Sequence, residues 1–143
     1  MQLKCRPVAT AQEMTSCRDI RRTVFVGEQG VPESREQDGM DEASRHFAAF
    51  LEDKMVATCR VRFIGSTAKI ERVAVLKDFR SKGIGRILMK YILQELSPAG
   101  NIQLFKLSSQ ADAVPFYEKF GFKKRGNEYI DAGLPHYDMV LEK

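Results

Sequence analysis

Residues 80–86 read RSKGIGR, three cations and two glycines set between an apolar run, IERVAVL, and a helical-looking run, ILMKYILQEL. A helix starting here leaves its first amides without partners, all pointing one way along a dipole that is positive at that end. Glycine at 83 and 85 removes the Cβ atoms that would hold a ligand off the backbone. Arg80, Lys82 and Arg86 add charge that amides alone lack. The combination suits a phosphate-bearing ligand. A Walker loop needs GxxxxGK followed by Ser or Thr, and the chain has no such string. A dinucleotide fingerprint needs GxGxxG, and Leu88 stands where its third glycine would be. The junction fits a shorter pattern: Arg or Gln, two residues, Gly, one residue, then Gly or Ala. Alone, that pattern also describes an ordinary structural turn from strand to helix.

The other reactive groups are scattered. Tyr117 lies in AVPFYEKFGF, and carboxylates cluster between Glu28 and Glu42, while the densest cations fall at 77–90 and 123–125. That asymmetry suits an anionic ligand in the second half and an amine near the first, although an acidic loop also serves as plain solvated surface. Cys5, Cys17 and Cys59 form no CxxC pair and no zinc pattern with His46 and His136. Reduced thiols in a cytoplasmic protein are expected, with no metal site implied. A lone histidine is more often a structural hydrogen-bonder than a base.

A net charge of +4, from 23 Lys and Arg against 19 Asp and Glu, is small for a dedicated nucleic-acid binder. No apolar run reaches the roughly 18 residues of a membrane span, and the first residues lack the apolar core of a secretory signal. Neither a nucleic acid nor a membrane is expected as partner. The 143 residues suffice for one domain with one core.

The elements that must position these groups follow from periodicity. QLKCRPVA reads as a first strand. Thr10 and Glu13 form a capping box, with Glu13 reaching back to the amide of residue 10, and open a helix over 11–25. Residues 26–42 read as a long loop with at most one helical turn. HFAAFLE and MVATCRVRFI flank a hairpin turn at Asp53-Lys54, and AKIERVAVL completes a meander. Residues 83–96 form a helix with an apolar stripe at Ile84, Ile87, Leu88, Tyr91 and Ile92. A strand, IQLFKLS, a short helix over 112–120 and two closing strands, FKKRGNEYI and HYDMVLE, follow. The order β-α-β-β-β-α-β-α-β-β predicts an α+β fold, a mixed, mostly antiparallel twisted sheet of about seven strands with three to four helices on its faces.

The glycine junction, AVPFYEKFGF some 30 residues later, and this element order together resemble the GCN5-related N-acetyltransferase (GNAT) family over nearly the whole chain. EQGVP and the late AGLPH are similar to a group of small bacterial members. The resemblance implies one acetyl-CoA-dependent N-acetyltransferase domain. The strand at Val73, Ala74 and Val75 would carry the pantetheine arm by main-chain contacts. Arg80, Ser81, Lys82, Gly83, Ile84, Gly85 and Arg86 would cradle the pyrophosphate. Phe116, Tyr117 and Lys119 would complete the cofactor site, with the Tyr117 phenol as general acid toward sulfur. The family often places an asparagine before this helix; here Gln110 is the available amide.

An alkyl ammonium needs a base before it attacks, because its reference pKa lies near 10. Strand alternation puts Glu71 on the face of Val73 and Val75, making it one candidate base. Glu28 is another. Glu28, Gln29, Asp38, Asp41 and His136 are candidates for holding the acceptor. Direct transfer to a small primary amine is expected, with a protein or peptide acceptor as the alternative. A non-catalytic acyl-CoA-binding module and a nucleic-acid binder acting through 77–90 are the competing functions. The chain is expected to be a monomer or homodimer.

Overall fold

The computed structural model describes residues 2–143. In chain order its elements are β1 (Leu3–Pro7), α1 (Ala11–Arg21), α2 (Glu33–Glu36), β2 (Arg45–Leu51), β3 (Lys54–Ile64), β4 (Thr67–Val75), α3 (Ile84–Leu96), β5 (Leu104–Gln110), α4 (Val114–Glu118), β6 (Lys123–Asp131) and β7 (Leu134–Glu142). Among the described residues the strands form one seven-stranded sheet in the order β1-β2-β3-β4-β5-β7-β6. Only β4 and β5 run parallel, because α3 carries the chain across between them. The fold class is the one the element order predicts. No helix among the described residues is long and apolar enough to cross a membrane.

Local chemistry explains most boundaries. Thr10 Oγ1 accepts the Glu13 amide at 3.1 Å and starts α1. Glu13 reaches back to the Ala9 amide at 2.8 Å, with the predicted Thr10 amide a weaker partner beside it. The predicted 11–25 helix stays α-helical to Arg21 and continues as a wider π-helix over Arg22–Glu28. Its last amides reach back five or six residues, Gln29 to the Val24 carbonyl and Val31 to that of Phe25. Apolar spacing does not separate a 3.6-residue turn from a wider one over seven residues. The β2–β3 turn falls at Glu52 and Asp53, both at positive φ, one residue before the predicted position.

Helices cover both faces. Ile84, Leu88, Met89, Ile92 and Leu96 of α3 pack on Phe47, Ala57, Val61 and Phe105, forming the larger core. Ile87, assigned to that stripe from spacing, is exposed, and Met89 takes its place. On the opposite face Cys17 and Ile20 of α1 pack against Ala48, Phe50 and Ala74. Burying each such aliphatic side chain is worth roughly 1.5–3 kcal/mol.

Two irregularities shape the site. In β4, Arg72 adopts φ 56°, and the register steps from Thr58↔Ala74 to Arg60↔Glu71. Three residues of β4 thus span the distance of two on β3, which is a β-bulge. In β6 the register steps from Arg125↔Asp138 to Tyr129↔His136, so residues 126–128 bulge outward.

Candidate active site

Pairing of β4 with β5 ends at Ile70↔Leu107. Beyond it the two strands part, and a gap opens through the sheet. On the α3 face lies a cleft of about 790 Å³, walled by Val75, Phe79, Gly83, Gly85, Arg86 and Phe116 among others. On the α1 face a cavity of about 500 Å³ is bounded by Gln29, Glu71, Gln110, Tyr117, Tyr129 and His136 among others. Val73 lines both, so the two spaces adjoin at the gap.

The glycine junction forms one wall of the cleft. Ser81 and Gly83 take positive φ, 63° and 79°, which turns the chain sharply into α3. The first helical amide with a protein acceptor is that of Ile87, on the Gly83 carbonyl at 3.0 Å. Among the described residues nothing accepts from the amides of Ser81, Lys82, Gly83, Ile84, Gly85 or Arg86. A Cβ at Gly85 would stand 3.6 Å from Val75 and 3.7 Å from Phe116, inside the cleft. An anionic, slender ligand fits these residues: the amides want acceptors, and the glycine leaves the space open.

Arg80 does not face that space alone. Its Nε donates to the Val75 carbonyl at 2.9 Å, and its Nη1 pairs with Glu28 at 2.7 Å. Glu28 is therefore tied to the junction and does not line the amine-side cavity, which removes the geometric basis for treating it as a base. Ala74 faces α1 and is buried there, so its side chain takes no part in the cleft. Phe116 and Lys119 line the cleft with Lys90 and Phe120, the last two unforeseen.

Tyr117 projects from α4 to the gap, its ring edge-on to Phe116 at 5.0 Å and to Phe122 at 6.2 Å. Its hydroxyl has no hydrogen-bond partner among the described residues. Burial pushes the phenol up, with the nearby Cys59 adding to the shift. The group therefore keeps its proton at ordinary pH, as a donor must.

The alternation that placed Glu71 beside Val73 and Val75 is corrected by the Arg72 bulge. Val73 and Val75 pack toward the α3 core, while Glu71 turns to the α1 face among cations. It pairs with Arg60 at 2.9 Å, Arg62 at 2.7 Å and Lys69 at 3.4 Å. Burial pushes its carboxyl up, but Arg62 and Arg60 outweigh burial and hold it low. A carboxylate so held is a poor proton acceptor.

Asp38 and Asp41, expected to attract an amine, are likewise engaged by arginines. Arg60, 0% exposed, makes a fork onto Asp38 (both bonds 2.8 Å) and reaches Asp41 at 3.0 Å. Arg21, 1% exposed, bonds Glu36 and Asp41 at 2.8 Å each, and Arg72 bonds Glu36 at 2.9 Å. Hydrogen bonding to Arg60 holds the Asp38 carboxyl far below its usual range. Burial pushes Asp41 up, yet Arg21, Arg60 and Arg18 prevail and lower it to about 2. The network fastens α1, the loop around α2, β3 and β4 together, and so fixes one wall of the amine-side cavity. It escaped the sequence reading because its members lie far apart in the chain.

Gln29 and Gln110 do meet: their amides bond at 2.9 Å across the cavity. Arg35 and Asp131 pair at 2.6 Å and tie α2 to the end of β6. His136 lines the cavity, its Nδ1 on the Leu134 carbonyl at 2.8 Å and its ring stacked on Tyr129. His46 lies elsewhere, with Nε2 on the Asp41 carbonyl at 2.9 Å. Ser108, Tyr129 and Asp138 form a cluster that sequence reasoning missed; Ser108 bonds the Tyr129 hydroxyl, which donates to Asp138 at 2.7 Å. Alternation within HYDMVLE would have put 136 and 138 on one face, but nothing in the chain signals the β6 bulge that brings Tyr129 to them.

Comparison with known proteins agrees with this geometry. A family model described as an acetyltransferase (GNAT) domain matches residues 5–143. An uncharacterized N-acetyltransferase of Bacillus subtilis (strain 168), YjcF, is 39% identical over 124 residues, covering 86% of this chain and 88% of its own. The crystal structure of Escherichia coli ElaA superposes with a TM-score of 0.89 at 26% identity, covering 99% of this chain and all of that one. That of an acyl-CoA N-acyltransferase from Pseudomonas aeruginosa gives a TM-score of 0.86 at 27% identity, with 97% of each chain covered.

Proposed function

Because the chain belongs to the GNAT acetyltransferases, we propose that it moves an acetyl group from acetyl-CoA to the primary amine of a small molecule, both bound at once on opposite sides of the β4–β5 gap. The observation that carries this reading is the run of six unpartnered amides, 81–86, opening on a cleft that adjoins a second cavity. Lys82, Gly83, Gly85 and Arg86 would hold the diphosphate, and Val73 would flank the pantetheine arm. When bound, acetyl-CoA supplies an activated acetyl thioester.

The chain's own residues supply the rest. Tyr117, protonated and without a competing acceptor, is set to give its proton to the departing sulfur. Burial pushes the Cys5, Cys17 and Cys59 thiols up, which disfavours a thiolate nucleophile and supports direct transfer over a covalent acyl-enzyme. The Gln29–Gln110 and Arg35–Asp131 bridges narrow the amine-side cavity of about 500 Å³, which favours a small acceptor over a peptide chain.

Calorimetric titration with CoA, followed by thiol release from acetyl-CoA across a panel of small primary amines and a lysine peptide, tests the reading. The expected result is CoA binding with thiol release for small amines and a product heavier by one acetyl group. CoA binding without turnover of any amine would leave a binding module instead. Turnover of the peptide alone would overturn the small-molecule assignment.

A further inference from the structure

The acceptor enters as an ammonium ion, and the two carboxylates suggested by sequence are engaged elsewhere, Glu71 by Arg60 and Arg62, Glu28 by Arg80. His136 is differently placed. It lies on β7 opposite Gln110 of β5 and Tyr129 of β6, on the wall of the amine-side cavity. A carbonyl oxygen only accepts, so the 2.8 Å contact with Leu134 puts the ring proton on Nδ1. The neutral ring then carries its lone pair on Nε2. That atom has no partner among the described residues, yet it is not enclosed as Arg60 Nε is. His136 is 9% exposed and lines the cavity, and with Nδ1 held by the backbone, Nε2 is the ring nitrogen left for a ligand there. Stacking on Tyr129, with centroids 5.9 Å apart and planes 26° apart, fixes the ring's rotation.

Resting on the acetyl-transfer reading above, we propose that His136 is the general base, its Nε2 taking the proton from the acceptor ammonium in the amine-side cavity. The neutral amine nitrogen then bonds to the acetyl carbonyl carbon, and the C–S bond breaks. Nitrogen gives up two protons in all. The first passes through His136 to solvent, and the second, lost as the amide forms, balances the proton that Tyr117 gives to sulfur.

The charged groups that share this cavity are paired with one another. Glu71, Arg72 and Lys69 line it from β4, Arg35 and Glu36 from α2, Lys106 from β5, Tyr117 from α4, Tyr129 and Asp131 from β6, and Asp138 from β7. Each acid has a basic partner: Glu71 has Lys69, Glu36 has Arg72, Asp131 has Arg35, and Asp138 has Lys106 at 3.8 Å.

The test compares wild type with His136→Gln and Glu71→Gln in thiol release from acetyl-CoA, using phenethylamine as acceptor and, in parallel, water alone. His136→Gln is expected to lower kcat about 100-fold, to abolish the acidic limb of the kcat/KM pH profile, and to leave CoA affinity within about twofold. Retention of the limb in His136→Gln, or its loss in Glu71→Gln alone, overturns the inference while leaving the transferase reading intact. Failure of wild type to bind CoA overturns both. Diethylpyrocarbonate on the unmodified protein needs no variant to fold. It should carbethoxylate His136, and turnover should fall in step with that modification. No modification at His136, or full turnover after it, refutes the assignment.

Discussion

Replacing Arg60 by Met removes the centre of the charge network without changing the side chain's length much. The guanidinium is 0% exposed and makes four bonds of 2.8–3.0 Å, two to Asp38 and one each to Asp41 and Glu71. Breaking a buried pair from one side costs about 3–5 kcal/mol, since it strands the opposite charge. The lower end applies, because Asp41 keeps Arg21 and Arg18, and Glu71 keeps Arg62 and Lys69. Asp38 keeps Arg72 at 3.3 Å and the Met40 amide at 3.1 Å. With unfolding entropy near 2.1 cal/mol/K per residue, about 3 kcal/mol lowers Tm by about 10 °C for a 143-residue chain. Calorimetry reads that shift. Because the network fixes the wall opposite the glycine junction, KM for an amine should rise several-fold while CoA affinity stays within about twofold. Loss below about 1 kcal/mol, or CoA affinity falling as far as amine affinity, would refute the separation of the two sides.

Stability should fall in acid. Asp38, Asp41 and Glu71 have lowered carboxyl pKa values in the folded protein, so the unfolded chain binds more protons as pH drops. Their contribution is complete above about pH 4.5 and is lost as pH falls toward about 2; denaturant melts between those limits should show it, with a shallower slope in Arg60→Met. At Gly85 a single methyl meets only ordinary contacts at 3.6 and 3.7 Å, so Gly85→Ala should keep CoA affinity within about threefold. The γ-carbons of Gly85→Val crowd Val75 and Phe116, and titration should show affinity weakened about 10-fold or more. Tyr117→Phe should lower kcat about 100-fold with little change in CoA affinity; equal loss of both would point to a packing role.

The features legible in the sequence were local ones. Thr10 and Glu13 announce α1, and the RSKGIGR junction announces both the start of α3 and its unpaired amides, because capping and glycine conformations depend on neighbours in the chain. Tyr117 stands out through its motif. Long-range features were hidden. The bulge at Arg72, a non-glycine residue at φ 56°, inverts the face of Glu71, and alternation alone does not reveal it. The pairing of Arg60 with Asp38 and Asp41 depends on how the loop after α1 folds back over β3. The Ser108–Tyr129–Asp138 cluster depends on strand register across β5, β7 and β6.

We propose above that the free amides at the start of α3 bind the diphosphate of CoA. Backbone amide NMR during titration with CoA probes that contact. The largest shifts, and new protection from hydrogen exchange, are expected at Lys82, Gly83, Gly85 and Arg86. Saturation by CoA with those four resonances unmoved, and the largest shifts elsewhere in the sheet, would contradict it.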